Sequence, residues 1–201
     1  MKHAQRKKEI PQKPRFEFAI ERAYQVLVDI CADKLPISIE IIEKRFLNLE
    51  IHAYTKYKEQ FVIPAQLDFD KRNAIIDKEN EAEPDPSKWR DHLEALVLRV
   101  RGEKEYLIIY DDRVRNEQRK RWSIGHELGH VFCGHLEEFE LTCLLRSGLS
   151  KEEYGVLETE AHWFVSELLA PSPVLLLLNT RFDSLKLMFY AIYPRRRLIK
   201  K

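Results

Sequence analysis

His126-Glu127-Leu128-Gly129-His130 lies near the end of a helical pattern that runs from about Asn116 to about Cys133. On a helix, residues four apart share one face, so both imidazoles can reach a single ion. Two histidines at this spacing are the usual start of a zinc site. Glu127, one position after the first histidine, points along the same cleft, where it can take a proton from a water held there. The stretch therefore predicts a ligand-bearing helix, with His126 and His130 as metal ligands and Glu127 as a general base.

Zinc in a hydrolase usually takes three protein ligands and leaves one position for water. The pattern H-E-x-x-H-x-x-G-x-x-H does not supply the third ligand. Cys133 stands at its glycine and Leu136 at its last histidine, with His135 one place out of register. The next helical pattern offers two candidates. Ser150 and Glu153 form an S-x-x-E capping box for a helix that runs to Ala170 and stops at Pro171. Glu158 shares a mostly apolar face with Ala161, His162, Val165 and Leu169, where an ionised carboxylate is costly unless paired or bound to metal. Glu160 shares a more mixed face with Phe164 and Glu167. Glu158 is preferred on helical-face grounds, with Glu160 as the rival. His162, one turn after Glu158, reads either as a hydrogen-bond partner of a ligand or as a structural histidine.

Outward from these helices, Phe16, Ile20, Ala23, Leu27, Ile30 and Cys31 recur at helical spacing. Leu35-Pro36-Ile37 interrupts that pattern, and Ser38 is placed to cap a short second helix burying Ile41, Ile42 and Phe46. Residues 50–56, 61–63 and 73–76 read as short β-type runs, and the acidic, proline-bearing 77–91 as a surface loop. Leu93–Arg101 and Lys104–Tyr110 read as a hairpin turning at Gly102-Glu103. A last amphipathic stretch spans Ser184–Tyr193. The expected class is α+β, a small antiparallel sheet packed with helices. The expected organisation is a basic arm over 1–14, one domain over 15–193 and a basic tail over 194–201.

The 201 residues carry a formal net charge of +1, which gives no general attraction to nucleic acid or membrane. Three cysteines, Cys31, Cys133 and Cys143, do not make a disulfide framework, and a reducing cytoplasm is expected. The charged N-terminus does not read as a signal peptide, and the apolar run Val174–Leu178 is too short to span a bilayer.

Three stretches resemble the ImmA/IrrE-type metallopeptidases of bacteria and their phages. Leu35-Pro36-Ile37 is similar to the family's opening. Arg121-Trp122-Ser123-Ile124-Gly125-His126-Glu127-Leu128-Gly129-His130 resembles R-F-T-[LI]-A-H-E-L-G-H. Glu158-x-x-Ala161-His162-x-Phe164 through Leu168-Leu169-Ala170-Pro171 resembles E-x-x-A-[ND]-x-F-A-x-x-L-L-M-P. Trp122, Gly125, His162 and Val165 depart from the pattern, though none removes an expected ligand or the base. The resemblance implies a zincin-like domain in which the H-E-x-x-H helix pairs with a second ligand-bearing helix, Glu158 completing a Zn²⁺ site. It also implies a regulatory peptidase whose substrate is a DNA-binding repressor.

Other residues carry weaker signals. Cys133 and His135 read as packing at a helix end rather than a second metal site. Arg119 and Arg121 read as a solvated face, and Trp122 as core. Tyr106, Tyr110 and Tyr154 could each assist an oxyanion, and the sequence singles out none. The expected activity is that of a zinc-dependent endopeptidase with a protein substrate, without direct nucleic-acid or membrane binding. The alternative is a catalytically silent zincin-like module that sequesters or senses a repressor, although such a module has no need of Glu127.

Overall fold

The computed structural model describes residues 9–32, 36–63, 67–82, 92–100, 105–139, 141–144, 148–172 and 175. The expected turn at Gly102-Glu103, the stretch Ser184–Tyr193 and the tail 194–201 lie outside them, as do residues 1–8 of the expected arm and most of the acidic loop.

Among the described residues the order is α1 (Phe16–Asp29), α2 (Ile39–Arg45), β1 (Leu49–Ala53), α3 (Tyr54–Gln60), α4 (Phe69–Ala82), β2 (Ala95–Val100), β3 (Glu105–Tyr110), α5 (Glu117–Phe132), α6 (His135–Glu138) and α7 (Lys151–Leu169). The three strands form one sheet in the order β1-β3-β2. The protein is α+β, as expected, but the sheet is mixed. β2 pairs antiparallel with β3, and β1 joins the other side of β3 in parallel, Leu49 opposite Tyr106. A parallel neighbour needs a long crossover, and α3 and α4 occupy that crossover here.

Successive strand residues point to opposite faces. Val97, Tyr106 and Ile108 pack with Ile124 and Leu128 of α5 in the main core. Leu96 and Ile109, one residue out of phase, pack with Tyr54 and Phe69 beneath α3 and α4. Above α5 lies α7, whose Leu157, Phe164 and Leu168 are buried in the main core. Ala19, Ala23 and Val26, at the i, i+4, i+7 positions of α1, join the same core. The layers therefore run sheet, α5, α7, α1.

Two expected β-type runs are not strands. Residues 61–63 are irregular, and 73–76 lie inside α4, which extends through residues expected to be loop. Ile75 is exposed, and the one buried residue of α4 is Phe69. Strand propensity reflects fit to a half-buried pleat, and at these positions there is no pleat to fit.

Candidate metal centre

Both ligand-bearing helices begin with side-chain caps that the sequence encodes. The Asn116 side chain accepts hydrogen bonds from the backbone N–H groups of Gln118 and Arg119 at the start of α5. At α7, Ser150 and Glu153 form the reciprocal capping box. These caps fix where each helix starts and so which residues face its neighbour.

The facing residues converge. His126 Nε2 lies 3.1 Å from His130 Nε2 and 3.1 Å from Glu158 Oε2, and His130 Nε2 lies 3.4 Å from Glu158 Oε1. Tetrahedral zinc with bonds of about 2.0–2.1 Å separates its ligand atoms by about 3.3 Å. In this triangle of residues, the separations among the two imidazole nitrogens and the two oxygens of the Glu158 carboxylate are of that size. Burial opposes ionisation of Glu158, but hydrogen bonds with His126 and His130 outweigh it and hold the carboxyl well below its ordinary range. Burial also lowers the pKa of His130, against the pull of Glu158, which favours the neutral imidazole that binds metal. The donor set therefore fits zinc.

Glu127 is partly buried at the same cleft and accepts a hydrogen bond from the Val97 backbone N–H. Burial, and then the nearby Glu158 carboxylate, push its carboxyl up to about 8, with Val97 acting in the opposite direction. Tyr154, one turn before Glu158, hydrogen-bonds that carboxylate; its phenol pKa is raised by burial first and then by Glu158. Of the three tyrosines considered, Tyr154 is thus the one whose hydroxyl reaches the centre. Tyr106 belongs to the core between sheet and α5.

His162 also comes close. Its Nδ1 lies 2.7 Å from the Glu158 carbonyl oxygen, and its ring centroid is 4.7 Å from that of His126. Nδ1 must donate to that carbonyl, which leaves Nε2 with its lone pair. Trp122 lies beside His162, ring centroids 6.0 Å apart. Arg121 donates to the Ile37 carbonyl at 2.5 Å, and Arg119 pairs with Glu94. The two arginines thus tie α5 to its neighbours instead of forming a solvated face.

Glu160, the rival ligand, faces away from the triangle. Its mixed-looking helical face is in fact covered: the side chain is fully buried, bound to Arg15 and to His135 Nε2 at 3.0 Å. Burial opposes its ionisation, yet His135 and Arg15 bring the carboxyl down to about 2. His135 is likewise more than packing. Gly134, at φ 71°, turns the chain from α5 into α6 and brings the His135 Nδ1 to 2.9 Å from the Nδ1 of His130. No local pattern signals this link, because Arg15 and Glu160 are 145 residues apart.

The helix pair also has relatives. The model of the peptidase M78 family, IrrE N-terminal-like domain, matches residues 86–188, just over half of the chain. The chain belongs to this family. The IrrE N-terminal-like match spans β2, β3 and all three of α5, α6 and α7, the segment that builds the triangle. The family is of metallopeptidase type, in agreement with the resemblance carried by the two helix motifs. No curated protein and no solved structure shows significant similarity to the chain. Among the described residues, no helix is long and apolar enough to cross a membrane.

Proposed function

We propose that the protein is a zinc-dependent endopeptidase that cuts a regulatory protein, a DNA-binding transcriptional repressor, in the cytoplasm. The observation that carries this reading is the convergence of His126, His130 and Glu158 at tetrahedral spacing, with Glu127 alongside. His126 and His130 would hold zinc through Nε2 and Glu158 through its carboxylate. Bound zinc supplies a Lewis acid and lowers the pKa of its water toward about 7.

The remaining steps belong to the chain itself. Glu127 takes a proton from the attacking water and passes it to the leaving amine nitrogen as the C–N bond breaks. The positive charge of a cation among the ligands would draw the Glu127 carboxyl down from about 8, toward the ionised form a base needs. The Tyr154 hydroxyl, on the Glu158 side of the cleft, is placed to donate to oxygen charge developing on the scissile carbonyl.

An extended substrate would add along β2, the outer strand beside α5. Part of that edge is already used, since Arg99 N–H donates to the Thr142 carbonyl at 3.0 Å. By the antiparallel alternation, Ala95 and Val97 present their backbone on the same outward side. Since the Val97 N–H already donates to Glu127, a peptide would add at Ala95 and would have to displace that bond to extend past Val97. Repressor cleavage rests on family resemblance, and the geometry supports peptide hydrolysis more generally.

The test is co-expression with candidate repressors and mass spectrometry of the products. Fragments that appear with wild type and vanish with Glu127→Gln support the reading. A Glu127→Gln variant that cuts the true substrate at the wild-type rate removes Glu127 as the base.

A further inference from the structure

The chain of contacts behind His130 has a direction. Glu160 is fully buried, and each of its oxygens has two donors. Oε1 accepts from the Arg15 backbone N–H at 2.8 Å and from Arg15 Nε at 3.0 Å. Oε2 accepts from Arg15 Nη2 at 2.9 Å and lies 3.0 Å from His135 Nε2. A carboxylate with donors on every side cannot offer a proton, so His135 must carry its own on Nε2. Its Nδ1 then has only a lone pair. That lone pair faces His130 Nδ1 at 2.9 Å, so the hydrogen of this contact belongs to His130. A neutral imidazole with its proton on Nδ1 presents a bare Nε2, and the Nε2 of His130 points at His126 and Glu158.

We infer that Arg15, Glu160 and His135 are positioning residues that hold His130 in the tautomer able to bind the metal, which makes the start of α1 part of the metal centre. The inference rests on the zinc-site reading above and deepens it. An ion pair serving only to dock α1 on α7 would be complete with Arg15 and Glu160. It would not need an inserted histidine whose second nitrogen ends on a ligand. Gly134 in the left-handed region supports the same view, since that turn is what delivers His135 to His130.

The test uses the full chain, stripped of metal and titrated with zinc against a competing chelator. Glu160→Gln breaks the order, because a Gln amide can present N–H to His135 in place of an acceptor. His135→Phe keeps the bulk and removes the link. Each is expected to weaken zinc binding by about 10- to 100-fold, the usual effect of losing a hydrogen-bond partner of a metal ligand. Long-range ¹H–¹⁵N correlation of the zinc-free wild type should show the His130 proton on Nδ1, and Glu160→Gln should shift it at least partly to Nε2. Folded Glu160→Gln and His135→Phe variants with wild-type affinity would overturn the inference. So would a wild-type His130 protonated on Nε2, a measurement that stands even if both variants fail to fold. A wild-type chain that binds no zinc at all would instead sink the underlying metal-site reading and leave the tautomer result to stand by itself.

Discussion

Gly125 of α5 faces Val165 of α7 so closely that a Cβ on Gly125 would lie 2.6 Å from Val165 Cγ2. The family pattern has alanine at both places. The two departures from the pattern that the chain resembles therefore meet in space, the missing methyl of Gly125 facing the larger side chain of Val165. Gly125→Ala alone should destabilise the fold by about 1–3 kcal/mol through overpacking. Gly125→Ala with Val165→Ala should recover much of that loss, with a coupling of about 0.5–3 kcal/mol. Chemical denaturation of both single variants and the double variant gives the cycle. Strict additivity would show that the two residues do not share this space.

Gly129, one turn further along, meets backbone rather than side chain. A Cβ there would lie 2.9 Å from the Cα of Ala161 and 3.0 Å from its carbonyl oxygen. A rotamer change cannot relieve that clash, so α5 and α7 must separate. Because His126 and His130 sit on one helix and Glu158 on the other, Gly129→Ala should weaken zinc binding as well as stability. Chelator competition on the folded variant checks this, and unchanged affinity would contradict the helix contact.

Glu158→Gln should weaken zinc binding strongly, because a neutral amide is a poor ligand for the ion. It should do so by more than Glu160→Gln, whose effect travels through His135 and His130. Titration of the two variants side by side sets the order. A larger loss for Glu160→Gln would reverse it.

Asp70 provides a pH test away from the site. A hydrogen bond with Lys58, then one with Arg113, lowers its carboxyl from 3.8 to about 2. A depressed acid adds stability that is present above its unfolded pKa and fades as pH falls toward the folded value. The melting-temperature gap between wild type and Asp70→Asn should therefore be steady near neutrality and narrow below about pH 4. Much of this ion pairing is solvent-exposed, so the gap should also shrink in high salt.

Cys31 ends α1 at φ 51°. Its N–H reaches the Val28 carbonyl and that of Ala32 reaches Leu27, respectively the five-to-two and six-to-one bonds of a closure in which glycine is the preferred residue. Cys31→Gly should stabilise the protein by about 0.5–1 kcal/mol. It should also abolish fast thiol labelling, because Cys31 is exposed whereas Cys133 is buried, its thiol pushed up by burial to about 12.

The parts of the fold that the sequence announced are those with local chemistry. Ser150 and Glu153 cap the helix they were expected to cap, and the facing of His126, His130 and Glu158 follows from helical periodicity, whereas Ser38 stands at the start of α2 without the side-chain cap bond expected of it. What stayed hidden depends on distant partners. β1 lies parallel to β3 because of where the crossover delivers it, which no local pattern records. Ile75 and Ile76 read as strand and lie in a helix. Glu160 reads as a polar residue on a mixed face until Arg15 arrives from the other end of the domain.

The sheet carries its own protection against growth. On β1, Ile51 N–H is taken by the Glu43 carboxylate at 2.8 Å; on β2, Arg99 N–H is taken by Thr142 and Val97 N–H by Glu127. Both rims of a three-stranded sheet are thus stoppered by groups from the same chain, two of them acidic. A neighbouring molecule seeking to zip onto either rim would have to evict a carboxylate or a loop carbonyl first, which discourages edge-to-edge stacking into fibrils. A strand can thus gain lodging on β2 only by competing for these bonds, so the surface that would receive a substrate strand also filters out casual partners.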